Sequence, residues 1–276
     1  MKLNIVPART GLTWVRLGVR TFLRQPLALS GLFFMFVAMM SLVSVVPLIG
    51  LALTMALLPA CTLGFMAAAR EADAGKFPMP KVFLSAFRAG RDQLRAMLLL
   101  GLIYGAGLWL IIGITSLVDG GRFAEGYLSG STSAVQIARD PSLWSGLLVF
   151  LALQLPLSLM FWHAPALVHW HRVAPIKSLF FSLVACIRNF WAFTVYGLAW
   201  TAIMMVLVQL ISLLGLASAS APLVGVLFMA GTLAITAMIL TSTYFTFRDC
   251  FRAEDPHPGP TDDPSLLAHQ ERSSQP

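Results

Sequence analysis

The composition of this 276-residue chain is that of a membrane protein. Hydrophobic residues make up 58% of it and charged residues only 11%, whereas about a quarter of the residues of a soluble domain are charged. The mean hydropathy is +0.79. These values exclude an ordinary soluble enzyme or binding domain, and they predict helices that cross a lipid bilayer.

The net charge of +7 and the three cysteines limit the partners and sites to expect in this protein. Basic residues beside membrane spans set the orientation of a membrane protein, so we expect no nucleic-acid partner. Cys61, Cys186 and Cys250 are odd in number and far apart, so they predict neither a disulfide framework nor a zinc site. No cofactor is expected.

Six apolar runs predict an all-α fold, a polytopic membrane protein whose six transmembrane helices form three hairpins. The longest run, between Arg24 and Arg70, has no ionisable residue and is long enough to cross a bilayer twice. Pro47 and Gly50 supply its turn. The predicted spans are residues 27–46, 48–69, 96–118, 142–163, 190–214 and 222–247.

The spans define one transmembrane domain, residues 1–251. Its fourth helix has Asp140 as the expected N-cap and Pro141 as its first residue. Residues 252–276 are acidic and rich in proline, a composition that cannot bury a core. They are predicted to form a disordered cytoplasmic tail.

The distribution of cations predicts the orientation. All but Arg122 and Arg139 of the 19 Lys and Arg residues fall on one side of the predicted spans. By the positive-inside rule that side is cytoplasmic. Both termini are therefore expected in the cytoplasm.

A basic amphipathic segment, predicted to form an interfacial helix, precedes each hairpin, at residues 12–25, 81–95 and 176–189. In the second segment Phe83 and Phe87 lie opposite the cations, which predicts a helix in the membrane interface that binds anionic lipid. A solvated charged face is the alternative interpretation. The predicted lipid contacts are Arg16, Arg20, Arg24, Lys81, Arg88, Arg91 and Arg95.

The predicted spans lack the groups that membrane chemistry needs. Proton or sodium coupling and intramembrane hydrolysis use carboxylates, histidines or a paired nucleophile and base at membrane depth. The most polar residues inside the spans are Gln154 and Gln209. They are expected to bridge helices, with a polar path for a solute as the alternative, and no catalytic residue is expected.

Three histidines lie close together in the sequence, His163, His169 and His171. On one helix these residues point in different directions, unlike the i, i+4 pair that binds a metal. We therefore interpret them as residues at the headgroup level. A metal site or a pH sensor remains the alternative.

The opening of the chain resembles a family of multi-pass inner-membrane proteins from betaproteobacteria. The similar residues are Trp14, Gly18 and Phe22, followed by Gln25-Pro26 and the first span. The resemblance extends to about Phe251. It implies an inner-membrane location, and it implies no activity and no catalytic residues.

Two functions of different class fit these observations. The first is a non-enzymatic scaffold or lipid-associated envelope factor that binds anionic membrane lipids and other membrane proteins. The second is a permease or channel for a neutral or lipid-like solute. A polar path lined by Gln154 and Gln209 would favour the second, and a dry interior packed by glycine and alanine would favour the first.

Overall fold

The computed structural model describes residues 2–46, 49–84, 90–129, 136, 140–217 and 220–252. In these residues the protein is all-α, and six helices are long and apolar enough to cross a membrane. The helices are α1 Thr10–Arg24, α2 Pro26–Ser44, α3 Gly50–Asp73, α4 Arg91–Asp119, α5 Arg122–Ser129, α6 Pro141–Trp162, α7 Ala164–His171, α8 Pro175–Arg188, α9 Phe190–Ala217 and α10 Ala221–Cys250. The strands β1 Lys2–Leu3 and β2 Phe251–Arg252 pair antiparallel.

The start of α6 follows from its sequence. The Asp140 side chain accepts a hydrogen bond from the backbone N–H of Ser142 at 2.9 Å, and Pro141 is the first helical residue. The predicted N-cap is therefore confirmed. Hydrogen bonds from Ser142, with the nearby charge of Arg122, hold the pKa of Asp140 below its usual range.

Helix α3 lies at the centre of the bundle. It packs against α2, α4 and α10, while α6 packs on the other side of α4 and α9 packs on α10. More than half of the apolar stretch of α3 is buried, 56%, against 11% for the spans that contain α6, α9 and α10. The last three spans therefore expose most of their apolar surface, as lipid-facing helices do.

The short helices α1, α7 and α8 gather at one end of the bundle. Helix α1 lies across α9 and α10, and α7 is enclosed by α3, α4 and α8. Strand β1 precedes α1 and pairs with β2, which follows α10. The two described ends of the chain therefore meet at this end, which also carries most of the basic residues and is called the basic end below.

The prediction of one continuous interfacial helix over residues 81–95 is wrong. A 3-10 helix occupies Pro80–Leu84, Gly90 has a φ of +115°, and Arg91 already opens the span helix α4. Phe83 is buried against Gly64 and Phe65 of α3 and does not face lipid. Three predictions fall outside the described residues: the turn at Pro47, the lipid contact at Arg88 and the tail beyond Arg252.

Candidate functional site

Helix α1 is fixed to the bundle by its inner face. Trp14 is fully buried there and donates its indole N–H to Asp249 at 2.9 Å. Gly11 and Gly18 let the helix approach closely, since a Cβ at either position would collide with α9 or α10. The rotation of α1 about its own axis is therefore fixed.

The outer face of α1 carries the predicted arginine stripe. Arg16, Arg20 and Arg24 are exposed one turn apart, and Leu12 and Leu23 beside them are more than half exposed. Within the described part of the chain, no carboxylate pairs with these three guanidinium groups. Such a face combines cations for headgroups with apolar side chains for the acyl boundary.

Other predicted lipid contacts lie at the same end. Lys81 is exposed on the 3-10 helix, and Arg91 and Arg95 are exposed on the first turns of α4. The amide of Gln93, between them, donates to the Val168 and His169 carbonyls at the end of α7 at 3.0 and 3.1 Å. We call Arg16, Arg20, Arg24, Lys81, Arg91 and Arg95 the cationic rim.

A cavity of about 260 Å³ lies deeper in the bundle, between α3, α4, α6 and α10. Pro59 within α3 lines it, and Pro156 interrupts the hydrogen-bond ladder of α6 nearby, since proline has no N–H to donate. Its lining residues are Leu58, Pro59, Thr62, Tyr104, Ser158, Phe161, Trp162, Ile239 and Leu240. No Lys, Arg, Asp or Glu is among them.

A polar cluster borders the cavity at Trp162, where α6 ends at the basic end. The indole N–H of Trp162 donates to the hydroxyl of Thr246 at 3.1 Å, and His163 Nε2 lies 3.2 Å from the same oxygen. The backbone N–H of His163 donates to Ser182 of α8 at 2.9 Å. These contacts hold the break between α6 and α7 in place.

The structure corrects the interpretation of His163 as a residue at the headgroup level, because its side chain is fully buried. His169 and His171 are half buried in the last turn of α7. Among the described residues, no group of three His, Cys, Asp or Glu side chains could hold a metal ion. The nearest thiol, Cys186 of α8, lies 4.0 Å from His163, and burial raises its pKa to about 12.

The two glutamines of the predicted polar path are not brought together. Gln209 is exposed on the outer surface of α9, which packs mainly on α1 and α10. Gln154 is half buried on α6, where its amide donates to Ser158 at 3.3 Å, and its buried carbonyl oxygen has no hydrogen-bond partner among the described residues. Only Gln154 lies near the cavity.

A probable inner membrane protein of Burkholderia thailandensis is 40% identical to this chain over 260 residues, which cover 93% of the chain and 96% of the relative. This chain belongs to the same family. No family model and no solved structure matches it. The resemblance to betaproteobacterial inner-membrane proteins is thereby confirmed, and the protein is a multi-pass inner-membrane protein.

This family membership indicates where the cationic rim and the cavity lie relative to the bilayer. In an inner-membrane protein the exposed apolar helices face acyl chains, and the cationic rim lies where the spans leave the hydrocarbon. The family relationship supplies no activity. The sequence showed the cations of the rim, but it did not show the cavity, since its lining comes from four helices.

Proposed function

We propose that this protein is a non-enzymatic inner-membrane scaffold whose cytoplasmic end binds anionic lipid headgroups. In this proposal the basic end faces the cytoplasm, as the distribution of Lys and Arg indicates. Helices α1 and α8 then serve as interfacial helices in front of the hairpins α2–α3 and α9–α10. Other membrane proteins are the second expected class of partner.

The proposal rests on the two faces of α1, of which the inner packs on the bundle and the outer carries exposed arginines. Its inner face is fastened by Trp14 and by close contacts of Gly11 and Gly18, so Arg16 and Arg20 are held on the outer face. A cation near an anionic leaflet contributes about 1 kcal/mol. A fixed stripe of three arginines would therefore favour anionic over neutral headgroups by roughly a hundredfold.

The packing between spans supports the scaffold over a permease. At Gly101 of α4 the backbone lies so close to Ala56 of α3 that an added Cβ would meet the Ala56 carbonyl oxygen. Small residues of this kind let membrane helices pack without an intervening water path. Gln154 and Gln209 also lie on separate surfaces.

The proposal is tested with the full-length protein in nanodiscs of mixed phosphatidylethanolamine and phosphatidylglycerol. The lipids retained around the protein are counted by native mass spectrometry. Arg16→Gln with Arg20→Gln and Arg24→Gln should reduce the enrichment of phosphatidylglycerol by up to a hundredfold. Arg20→Gln alone should reduce it about fivefold.

Arg122→Gln is the matched control for the single change. Arg122 is a cation at the opposite end of the bundle, where it forms an ion pair with Asp140 at 3.0 Å. Its replacement should leave phosphatidylglycerol enrichment unchanged. Equal enrichment in the wild type, the triple variant and the control would reject a lipid-selective rim.

A further inference from the structure

The cavity between α3, α4, α6 and α10 has the lining of a ligand site. It offers hydroxyl groups at a depth where the surrounding side chains are apolar, from Thr62, Tyr104 and Ser158. Binding sites for small molecules share this combination of an apolar wall and a few placed polar groups. Two of the four helices contain a proline in or near the cavity wall, Pro59 and Pro156.

The hydrogen bonds already formed define what the hydroxyl groups can still bind. Ser158 accepts from Gln154 at 3.3 Å, so its own hydroxyl hydrogen can be donated to a ligand oxygen. Thr62 donates to the Leu58 carbonyl at 3.0 Å, so its oxygen lone pairs can accept. The cavity wall therefore offers a ligand hydroxyl a hydrogen-bond donor and an acceptor.

The charge and the size of the cavity restrict the ligand further. None of the described lining residues carries a formal charge, and a charged group that lay there without a counter-ion would do so at high free-energy cost. A volume of about 260 Å³ holds roughly nine groups of the size of a water molecule. This volume suits a polar head with the first carbons of a chain.

The hydrocarbon chain of a longer ligand can leave the cavity. Most of the lining residues are only half buried, among them Leu58, Tyr104 and Leu240. The cavity is therefore not sealed inside the bundle. A chain that begins at the hydroxyl groups can continue along apolar side chains toward the lipid.

We infer that this cavity binds an uncharged amphiphile, a hydrocarbon chain that carries a hydroxyl group. The hydroxyl lies between Ser158 and Thr62, and the chain packs on Phe161 and Ile239. Trp162 also lines the cavity, and its N–H does not bind the ligand because it is already bonded to Thr246. This site is separate from the cationic rim and goes beyond the proposed function.

The test uses the full-length protein in nanodiscs and three photoreactive probes. The probes are a 16-carbon alcohol that carries a diazirine on its chain, the matching fatty acid and the matching alkane. Mass spectrometry locates the label after illumination. The alcohol should label the stretches of α3, α6 and α10 that line the cavity, and the acid and the alkane should label them about threefold to tenfold less.

Matched variants separate the cavity from the outer surface. Ser158→Leu fills the cavity and should lower labelling by the alcohol at least fivefold, while Ser212→Leu changes an exposed serine on α9 and should not. Thr62→Val removes the hydroxyl and should lower the preference for alcohol over alkane. Thr201→Val is its control, because Thr201 is exposed and bonds its own helix in the same way.

The inference is overturned if the alcohol and the alkane label the cavity equally, or if Ser158→Leu behaves like Ser212→Leu. Should Ser158→Leu fail to accumulate, the pair Thr62→Val and Thr201→Val decides, and equal behaviour of that pair rejects the site. Arg20→Gln should leave cavity labelling unchanged. Loss of lipid enrichment at the rim and loss of cavity labelling are therefore read separately.

Discussion

Helices α9 and α10 each have two very different halves. Near the basic end, Tyr196 and Trp200 of α9 and Phe245 of α10 are buried against α1, α6 and α7, whereas toward the other end Leu213 and Met229 are about half exposed. The two halves of α9 are equally apolar, so composition does not distinguish them, whereas the packed half of α10 holds more polar residues, among them Thr241, Ser242 and Thr246. The difference shows that specific packing is concentrated where α1 crosses the two helices, and that the rest presents apolar side chains outward, as helices that face lipid do.

The largest expected effect comes from removing the residue that holds α1 in the packed half. Trp14 is fully buried, lies 5.2 Å from the ring of Phe193 and donates to Asp249. Trp14→Ala should destabilise the protein by about 3–5 kcal/mol. Denaturant unfolding of the purified protein, followed by circular dichroism, measures this change. A change below 1 kcal/mol would mean that α1 does not belong to the stabilising core.

A smaller effect is expected where two spans touch through a glycine. Gly101→Ala places a methyl group on the Ala56 carbonyl and should destabilise the α3–α4 contact by about 1–3 kcal/mol. Gly113→Ala on the same helix is the control, since its Cβ would meet no atom of the described residues within 4 Å. The control should be neutral or stabilising by up to about 1 kcal/mol. Similar unfolding curves for the two variants would contradict the close approach.

The smallest effect belongs to the lipid-facing half. Leu213→Ala and Met229→Ala remove side chains that are 52% and 59% exposed, so each should change the free energy of unfolding by less than about 0.5 kcal/mol. The same denaturation assay applies. A loss above 2 kcal/mol from either change would mean that this half packs against protein, for example a second membrane protein.

The sequence predicts the spans well because a bilayer imposes a length and an apolar composition on any helix that crosses it. The stretch without ionisable residues between Arg24 and Arg70 gave α2 and α3, and the pair Asp140 and Pro141 gave the start of α6. These signals are local. Each is present in a window no longer than the element that it predicts.

The environment of an amphipathic segment was not predictable in the same way. Periodicity shows that one face is apolar, but it does not show whether lipid or protein covers that face. Trp14 meets Asp249, 235 positions away in the chain, and Phe83 meets Phe65 of α3. Both aromatic side chains were expected on an interfacial helix, and both are buried in the protein.

The cationic rim was partly predictable for the same reason. Exposed arginines at steps of four are visible in the sequence, and the structure places Arg16, Arg20 and Arg24 on the outer face of α1. The cavity was not predictable from the sequence, because Thr62 and Ser158 belong to helices that are distant in sequence. The buried environment of His163 likewise depends on Thr246 and Ser182 from two other helices.

The proposed function requires that the densely packed, basic end faces the cytoplasm. The native cysteines, Cys61, Cys186 and Cys250, are all buried, so a cysteine introduced at an exposed position can be labelled selectively. Lys76→Cys lies at the basic end and Glu125→Cys at the opposite end, and both positions are exposed.

The measurement is labelling of the two cysteine variants in intact cells with a maleimide that cannot cross the inner membrane. Glu125→Cys should be labelled in intact cells, and Lys76→Cys should be labelled only after the membrane is opened. Labelling of Lys76→Cys in intact cells would contradict this orientation, since the cationic rim would then face the periplasm.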